Sequence, residues 1–113
     1  MGKLARMKQT HGGTIPTVTV AAAMNIPDHL SRVYVSGTDT VTSLCAEMPT
    51  IEGRQLVIIG SSGTATFTNT DDTTTKGQMD LGGSNRAVGT DDVLILTQRG
   101  NGTWLMTTAL VNN

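Results

Sequence analysis

The chain has little of what reactive protein sites are made from. It holds one cysteine, Cys45, so no internal disulfide forms and no Cys/His metal spacing exists. It holds two histidines, His11 and His29, a thin inventory for general acid–base or nucleophilic chemistry. Tyr34, Phe67 and Trp104 are its three aromatic residues, too few for a base-stacking platform. Charged residues make up 15% of the chain, against about 25% in ordinary soluble domains. The formal net charge of −1 excludes a generally basic nucleic-acid binder. No apolar run is long enough to cross a bilayer. The opening MGKLARMKQTHGG has no continuous apolar stretch, so a secretory signal is not expected. Gly2 is followed at the decisive position by Arg6 rather than Ser or Thr, so myristoylation is not expected either.

What is present suits a pleated sheet. Thr is frequent and Gly numbers 13; Thr fits a half-exposed strand surface and Gly fits tight turns. The 113 residues suffice for one domain, and a 37% hydrophobic content builds a modest core of Val, Ile, Leu, Ala and Met. Such a core is thin for a lone monomer, so burial between subunits is expected.

Two units follow from charge. Residues 1–14 form a basic N-terminal arm with Lys3, Arg6 and Lys8 and no acid, ending at the Gly12-Gly13 joint. The remaining 15–113 carry five Lys/Arg against nine Asp/Glu, a net of −4. Leu4 and Met7 stand three apart, the spacing of one apolar helix face, but a helix this short needs a partner to hold it. The arm reads either as a disordered tail or as a partner-binding segment through Lys3, Leu4, Arg6, Met7 and Lys8.

In the body, Thr17 to Val20 alternates polar and apolar, the mark of a half-buried strand. Residues 21–32 read as a turn or a single helical turn around Pro27, with His29 an exposed loop residue. RVYVSG is a short strand, and Thr40 to Ala46 is another that contains Cys45 as a small core residue. RQLVII, Arg54 to Ile59, is the strongest strand. GSSG at Gly60–Gly63 is read as a turn and TATFT as its hairpin partner. The polar stretch Asn69 to Gly77, with Asp71, Asp72 and Lys76, reads as a surface loop. QMDLGG is a short strand segment. Asp92 to Gln98 and Thr103 to Val111 are joined by a turn at Arg99–Gly102, with Asn101-Gly102 a favoured hairpin pair.

One device occurs twice. Gly37-Thr-Asp39 and Gly89-Thr-Asp91 each precede a strand, with glycine supplying any positive φ and aspartate closing the turn on the backbone. Strands recur at short intervals with turn signals between them, and no segment beyond residue 30 keeps a helical period. The expected class is all-β, a compact β-sandwich or barrel-like module with an extended N-terminal arm. The expected core includes Leu56, Ile58, Phe67, Val93, Ile95 and Leu105, with Trp104 packed on the core or at a subunit contact.

Chemical motifs are sparse. GSSG lacks the G-x-S-x-G nucleophile pattern, and neither GSSG nor LGGS has the lysine and spacing of a phosphate loop. Asp71-Asp72 and Asp91-Asp92 offer hard oxygen ligands for Ca²⁺, but no D-x-D-x-D-G loop is present, and solvated turn acids are the plainer reading. Asn101-Gly-Thr matches a glycosylation acceptor, yet turn chemistry alone accounts for it. No enzyme, cofactor or resident metal is expected.

The order of motifs from Val35 to Trp104 resembles small β-structured virion modules of tailed bacteriophages: capsid decoration (cement) proteins, head fibres and tail fibres. The motifs are the first Gly-Thr-Asp turn, EGRQLVII, the Gly/Ser turn, TATFT, the polar loop, LGG, AVGTDDVLIL, the GNG turn and the closing strand with Trp104. The resemblance implies a non-enzymatic virion protein on the capsid surface, made in the bacterial host cytoplasm. It implies a homotrimer that binds the major capsid protein or other virion proteins, with neither nucleic acid nor membrane as partner. The short arm and lack of long fibre-like repeats favour a capsid decoration protein. The alternative is a receptor- or glycan-binding module of a head or tail fibre, which needs exposed aromatics.

Overall fold

The computed structural model describes residues 15–27, 29–70, 74–108 and 110–112. The described residues are all-β, as expected. The strands are β1 (Thr17–Thr19), β2 (Ala23–Met24), β3 (Arg32–Ser36), β4 (Thr40–Val41), β5 (Ser43–Leu44) and β6 (Gln55–Ser62). They continue with β7 (Ala65–Phe67), β8 (Met79–Asp80), β9 (Arg86–Val88), β10 (Val93–Gln98) and β11 (Trp104–Met106).

Three sheets share one core. The largest has six strands in the order β1-β3-β6-β10-β11-β8. The others are β4-β7-β9 and the pair β2-β5. The inward residues of all three form a single cluster that includes Val33, Leu56, Ile58, Leu96 and Trp104 from the large sheet. Val41, Ala65, Phe67 and Val88 enter it from the second sheet, and Met24 and Leu44 from the third. The large sheet is thus one layer and the small sheets face it, a sandwich-like arrangement.

The connections differ from a run of hairpins. β1, β3 and β6 are mutually parallel neighbours, β2 pairs parallel with β5, and β4 pairs parallel with β7. Parallel neighbours need a crossover between them. Here the crossovers are short strands of the opposite layer, so the chain coils from the large sheet through the small ones and back. The antiparallel pairs are β10 with β6 and β11, and β9 with β7, while β11 pairs parallel with β8.

Two sequence expectations are corrected by this topology. Gly60-Ser-Ser-Gly63 does not turn β6 into a hairpin. β6 runs on through Ser62, the chain turns at Gly63, and β7 leaves for the second sheet to pair with β4 and β9. The stretch Thr40 to Ala46 is not one strand. It breaks after Val41 and turns at Cys45, whose φ is +57° and whose N–H donates to Met24 O at 2.7 Å. The hairpin at Arg99–Gly102 is present, with Gln98 opposite Trp104 and Gly102 N–H donating to Arg99 O.

The core expectation holds for Leu56, Ile58 and Phe67, which are fully buried. It is corrected for Val93 and Ile95, which are half-buried, and for Leu105, which is 37% exposed. In β10 the inward residues are Leu94, Leu96 and Gln98, so the odd positions point to the outer face. Every second residue of a strand changes side, so one step in parity exchanges the two sets.

Candidate functional site

Two surface regions stand out: the outer face of the large sheet and the cluster of turns at one end of it. Register assembles the first. Tyr34 lies opposite Ile59, Ile59 opposite Val93, and Val93 bridges to Val111. One step along the strands, Arg32 lies opposite Val57 and Val57 opposite Ile95. A further step brings Gln55, Thr97, Leu105 and Asp80 into line. The centre of the face is therefore Val57, Ile59, Val93 and Ile95. All four are half-buried and uncharged. Arg32 on β3 lies directly beside Val57, Asp80 is on the edge strand β8, and Leu105 and Val111, 37% and 47% exposed, are among the most exposed large apolar side chains.

The turn cluster explains the repeated Gly-Thr-Asp. Because β3 and β6 run parallel and β10 runs against them, the ends of β3 and β6 and the start of β10 meet at one edge. Gly37 has φ +114° and its N–H donates to Ser62 O at 2.9 Å. Gly60 N–H donates to Asp92 O, and Asp91 N–H donates to Gly60 O, each at 2.9 Å. A Cβ on Gly60 would overlap the Gly89 carbonyl, so glycine is required for this approach. Both turns thus dock against the end of β6.

They do so differently. In the second turn Asp91 takes φ +69°, and it is Asp92 Oδ2 that accepts from Gly89 N–H at 2.8 Å. Asp39 of the first turn is exposed and contributes its backbone carbonyl to Thr66 N–H. Gly37 supplies the positive φ as expected, the Asp39 side chain is exposed and its carbonyl makes the turn's contact, and in the second turn the Asp92 carboxylate caps Gly89 N–H. The spacing Gly89-x-x-Asp92 is the signal that reads it from sequence.

The other singled-out residues fall as follows. Lys3, Leu4, Arg6, Met7 and Lys8 lie outside the described residues, as do Asp71 and Asp72. Lys76 is half-buried and packs beside Gly102. The ends of the polar loop are pinned: Asn69 Oδ1 accepts from Leu81 N–H at 2.7 Å, Thr70 N–H donates to Met79 O, and Gly77 N–H donates to Gly102 O. Asn101 Oδ1 accepts from Thr103 N–H at 3.1 Å and from its hydroxyl at 2.7 Å, while Gly102 has φ +88°. The turn reading of this pair holds. Trp104 is fully buried with Nε1–H donating to Leu44 O at 2.9 Å, so within the subunit it packs on the core and is not a subunit contact. The Arg54 guanidinium carbon lies 5.9 Å from the Trp104 ring centre, and Nη2 donates to Pro27 O at 3.1 Å, tying Pro27 to the sheet.

Gln98 was not singled out by the sequence, yet it joins two loops. It is buried, Oε1 accepts from Ile51 N–H at 3.0 Å, and Nε2 donates to Gly102 O at 3.4 Å. Cys45 is buried too. Desolvation pushes its thiol pKa up, opposed by backbone hydrogen bonding at Ile26 and by the positive charge of Arg54. Among the described residues no group of three or more His, Cys, Asp or Glu is placed to hold a metal ion, and no helix is long and apolar enough to cross a membrane.

No family model, curated protein or solved structure matches the chain.

Proposed function

We propose that the protein is a non-enzymatic structural protein that works through broad protein–protein contacts, specifically a decoration protein that trimerises and stabilises a bacteriophage capsid. The observation that carries the contact role is the outer sheet face, apolar and uncharged at its centre. Half-buried Val57, Ile59, Val93 and Ile95 beside the exposed Leu105 and Val111 support a contact role for this face. The order of turn and strand motifs, which resembles phage virion modules, supports the virion context. The modest hydrophobic content of 37% supports assembly as a source of additional burial. In this reading the basic arm contacts the major capsid protein or a neighbouring subunit, and the cytoplasm of the bacterial host is where the protein is made.

The fibre-tip alternative, binding a receptor or glycan, rests on Tyr34. Of the three aromatics it alone is half-exposed, whereas Phe67 and Trp104 are fully buried. A sugar site built on one ring has little stacking surface.

Two measurements test the proposal. Light scattering after size exclusion is expected to give three times the 11.8 kDa chain mass. Purified protein mixed with phage shells that lack their decoration protein is expected to pellet with them and to raise their heat resistance. Protein that stays in the supernatant at every concentration tried refutes the capsid role.

A further inference from the structure

We propose that Asn101 is a modification site: its side-chain amide is converted to a carboxylate by attack of the Gly102 nitrogen, and the folded hairpin holds that reaction back until residues 99–103 open. Asn101 is the one asparagine in the sequence that a glycine follows. Asparagine is among the thermally labile residues, and a following glycine has no side chain to hinder its own nitrogen.

The reaction balances within the chain and one water. The Gly102 amide gives up its proton, its nitrogen bonds to Asn101 Cγ, and the side-chain nitrogen leaves as ammonia with that proton. The cyclic imide then takes up one water, which opens either of its two carbon–nitrogen bonds. One opening restores the ordinary backbone with aspartate at position 101. The other routes the backbone through Cβ and Cγ and gives isoaspartate.

Asn101 is exposed in the turn between β10 and β11, so water reaches it. Hydrogen bonds on both reacting groups oppose the attack. Gly102 N–H donates to Arg99 O at 2.9 Å, and the imide nitrogen has no hydrogen to donate. Asn101 Oδ1 is held by Thr103 N–H at 3.1 Å and by the Thr103 hydroxyl at 2.7 Å, and Thr103 is itself fully buried. The far side of Gly102 is pinned as well. Its carbonyl accepts from Gly77 N–H at 3.0 Å and from Gln98 Nε2 at 3.4 Å. The nitrogen reaches Cγ only when this hairpin opens, and such local opening is a minor population of the folded state.

The same contacts set the consequence. Gln98 also accepts from Ile51 N–H at 3.0 Å, and a Cβ on Gly102 would lie 2.5 Å from Lys76 Cγ, so the hairpin tip is packed between two other loops. Isoaspartate adds one atom to the backbone ahead of Gly102. That displaces the Gly102 carbonyl from both of its donors and loosens the loops at Ile51 and Gly77.

The test ages the folded chain and a synthetic peptide of residues 97–107 side by side at one mildly alkaline pH. Peptide mapping by mass spectrometry and an isoaspartate assay follow the products. Asn101 is expected to convert ahead of the other asparagines, and about 10-fold or more slowly in the folded chain than in the peptide, with the Gly102 amide protected from hydrogen exchange. Chain that is unfolded, aged and refolded is expected to melt below unaged chain carried through the same cycle. Another asparagine converting first overturns the site. A folded-chain rate equal to the peptide's, or a Gly102 amide that exchanges as fast as in the peptide, overturns the gating. An isoaspartate-bearing chain that melts like the unaged one overturns the consequence.

Discussion

The two faces of the six-stranded sheet are built from the same strands and similar residues, yet they have different fates. The inner face contributes Val33, Val35, Leu56, Ile58, Leu94, Leu96 and Trp104, all essentially buried. The outer face offers Tyr34, Val57, Ile59, Val93, Ile95 and Leu105, half-buried or exposed. Side-chain type does not separate them. What separates them is that the small sheets lie over one face and leave the other. Burial here is a property of the layer opposite the strand, and among the described residues neither small sheet supplies that layer to the outer face.

The comparison breaks most sharply at Trp104. Trp104→Ala empties a fully buried site and removes the bond to Leu44 O, so unfolding stability is expected to fall by about 3–5 kcal/mol in urea titration. Ile95→Ala on the outer face is expected to cost the isolated subunit only about 1 kcal/mol while lowering the solution mass. If Ile95→Ala instead destabilises as much as Trp104→Ala at dilutions where the protein is monomeric, the two faces are not distinct.

The turn cluster sharpens the same contrast at the sheet's edge. Asp92→Ala removes the acceptor of Gly89 N–H and is expected to cost about 1 kcal/mol. Asp39→Ala, in the sequence-equivalent turn, is expected to change stability by less than about 0.5 kcal/mol, because its side chain is exposed. Equal losses at the two positions would show that the turns close alike.

The smallest effect concerns Cys45. Burial raises its folded-state pKa above the unfolded value, so the unfolded chain gives up the thiol proton first as pH rises. The thiol's stabilising contribution is fully present below the unfolded pKa, about 8.5, and is lost as pH rises from there through the folded value. Unfolding midpoints should therefore decline over this alkaline range more in the wild type than in Cys45→Ala. Identical slopes would remove the thiol from the account.

Much of the local structure was legible. The alternation in Thr17–Val20, the β-branched runs in Arg32–Ser36 and Gln55–Ile59, and the Asn101-Gly102 pair all report short-range preferences that survive in the fold. The failures share one cause. Gly60-Ser-Ser-Gly63 looks like a hairpin turn because its glycines permit one, but Gly60 is needed for the approach of the Gly89 carbonyl, a contact between residues far apart in sequence. Val93, Ile95 and Leu105 looked like core because they are apolar, but in strands apolar on both sides alternation cannot say which parity points inward. Gln98 looked like the end of a strand, and its partners Ile51 and Gly102 come from two separate loops.

By itself the sequence determined the all-β class, the positions of most strands, the glycine turns and the scarcity of reactive groups. Each of these follows from backbone sterics, side-chain branching or composition within a few residues. Only the tertiary structure decided that β1, β3 and β6 run parallel, that Trp104 is sealed inside, and that Val57, Ile59, Val93 and Ile95 face outward. Pairing direction and burial depend on which strand lies alongside and which sheet lies opposite, and those neighbours are brought together only by the fold.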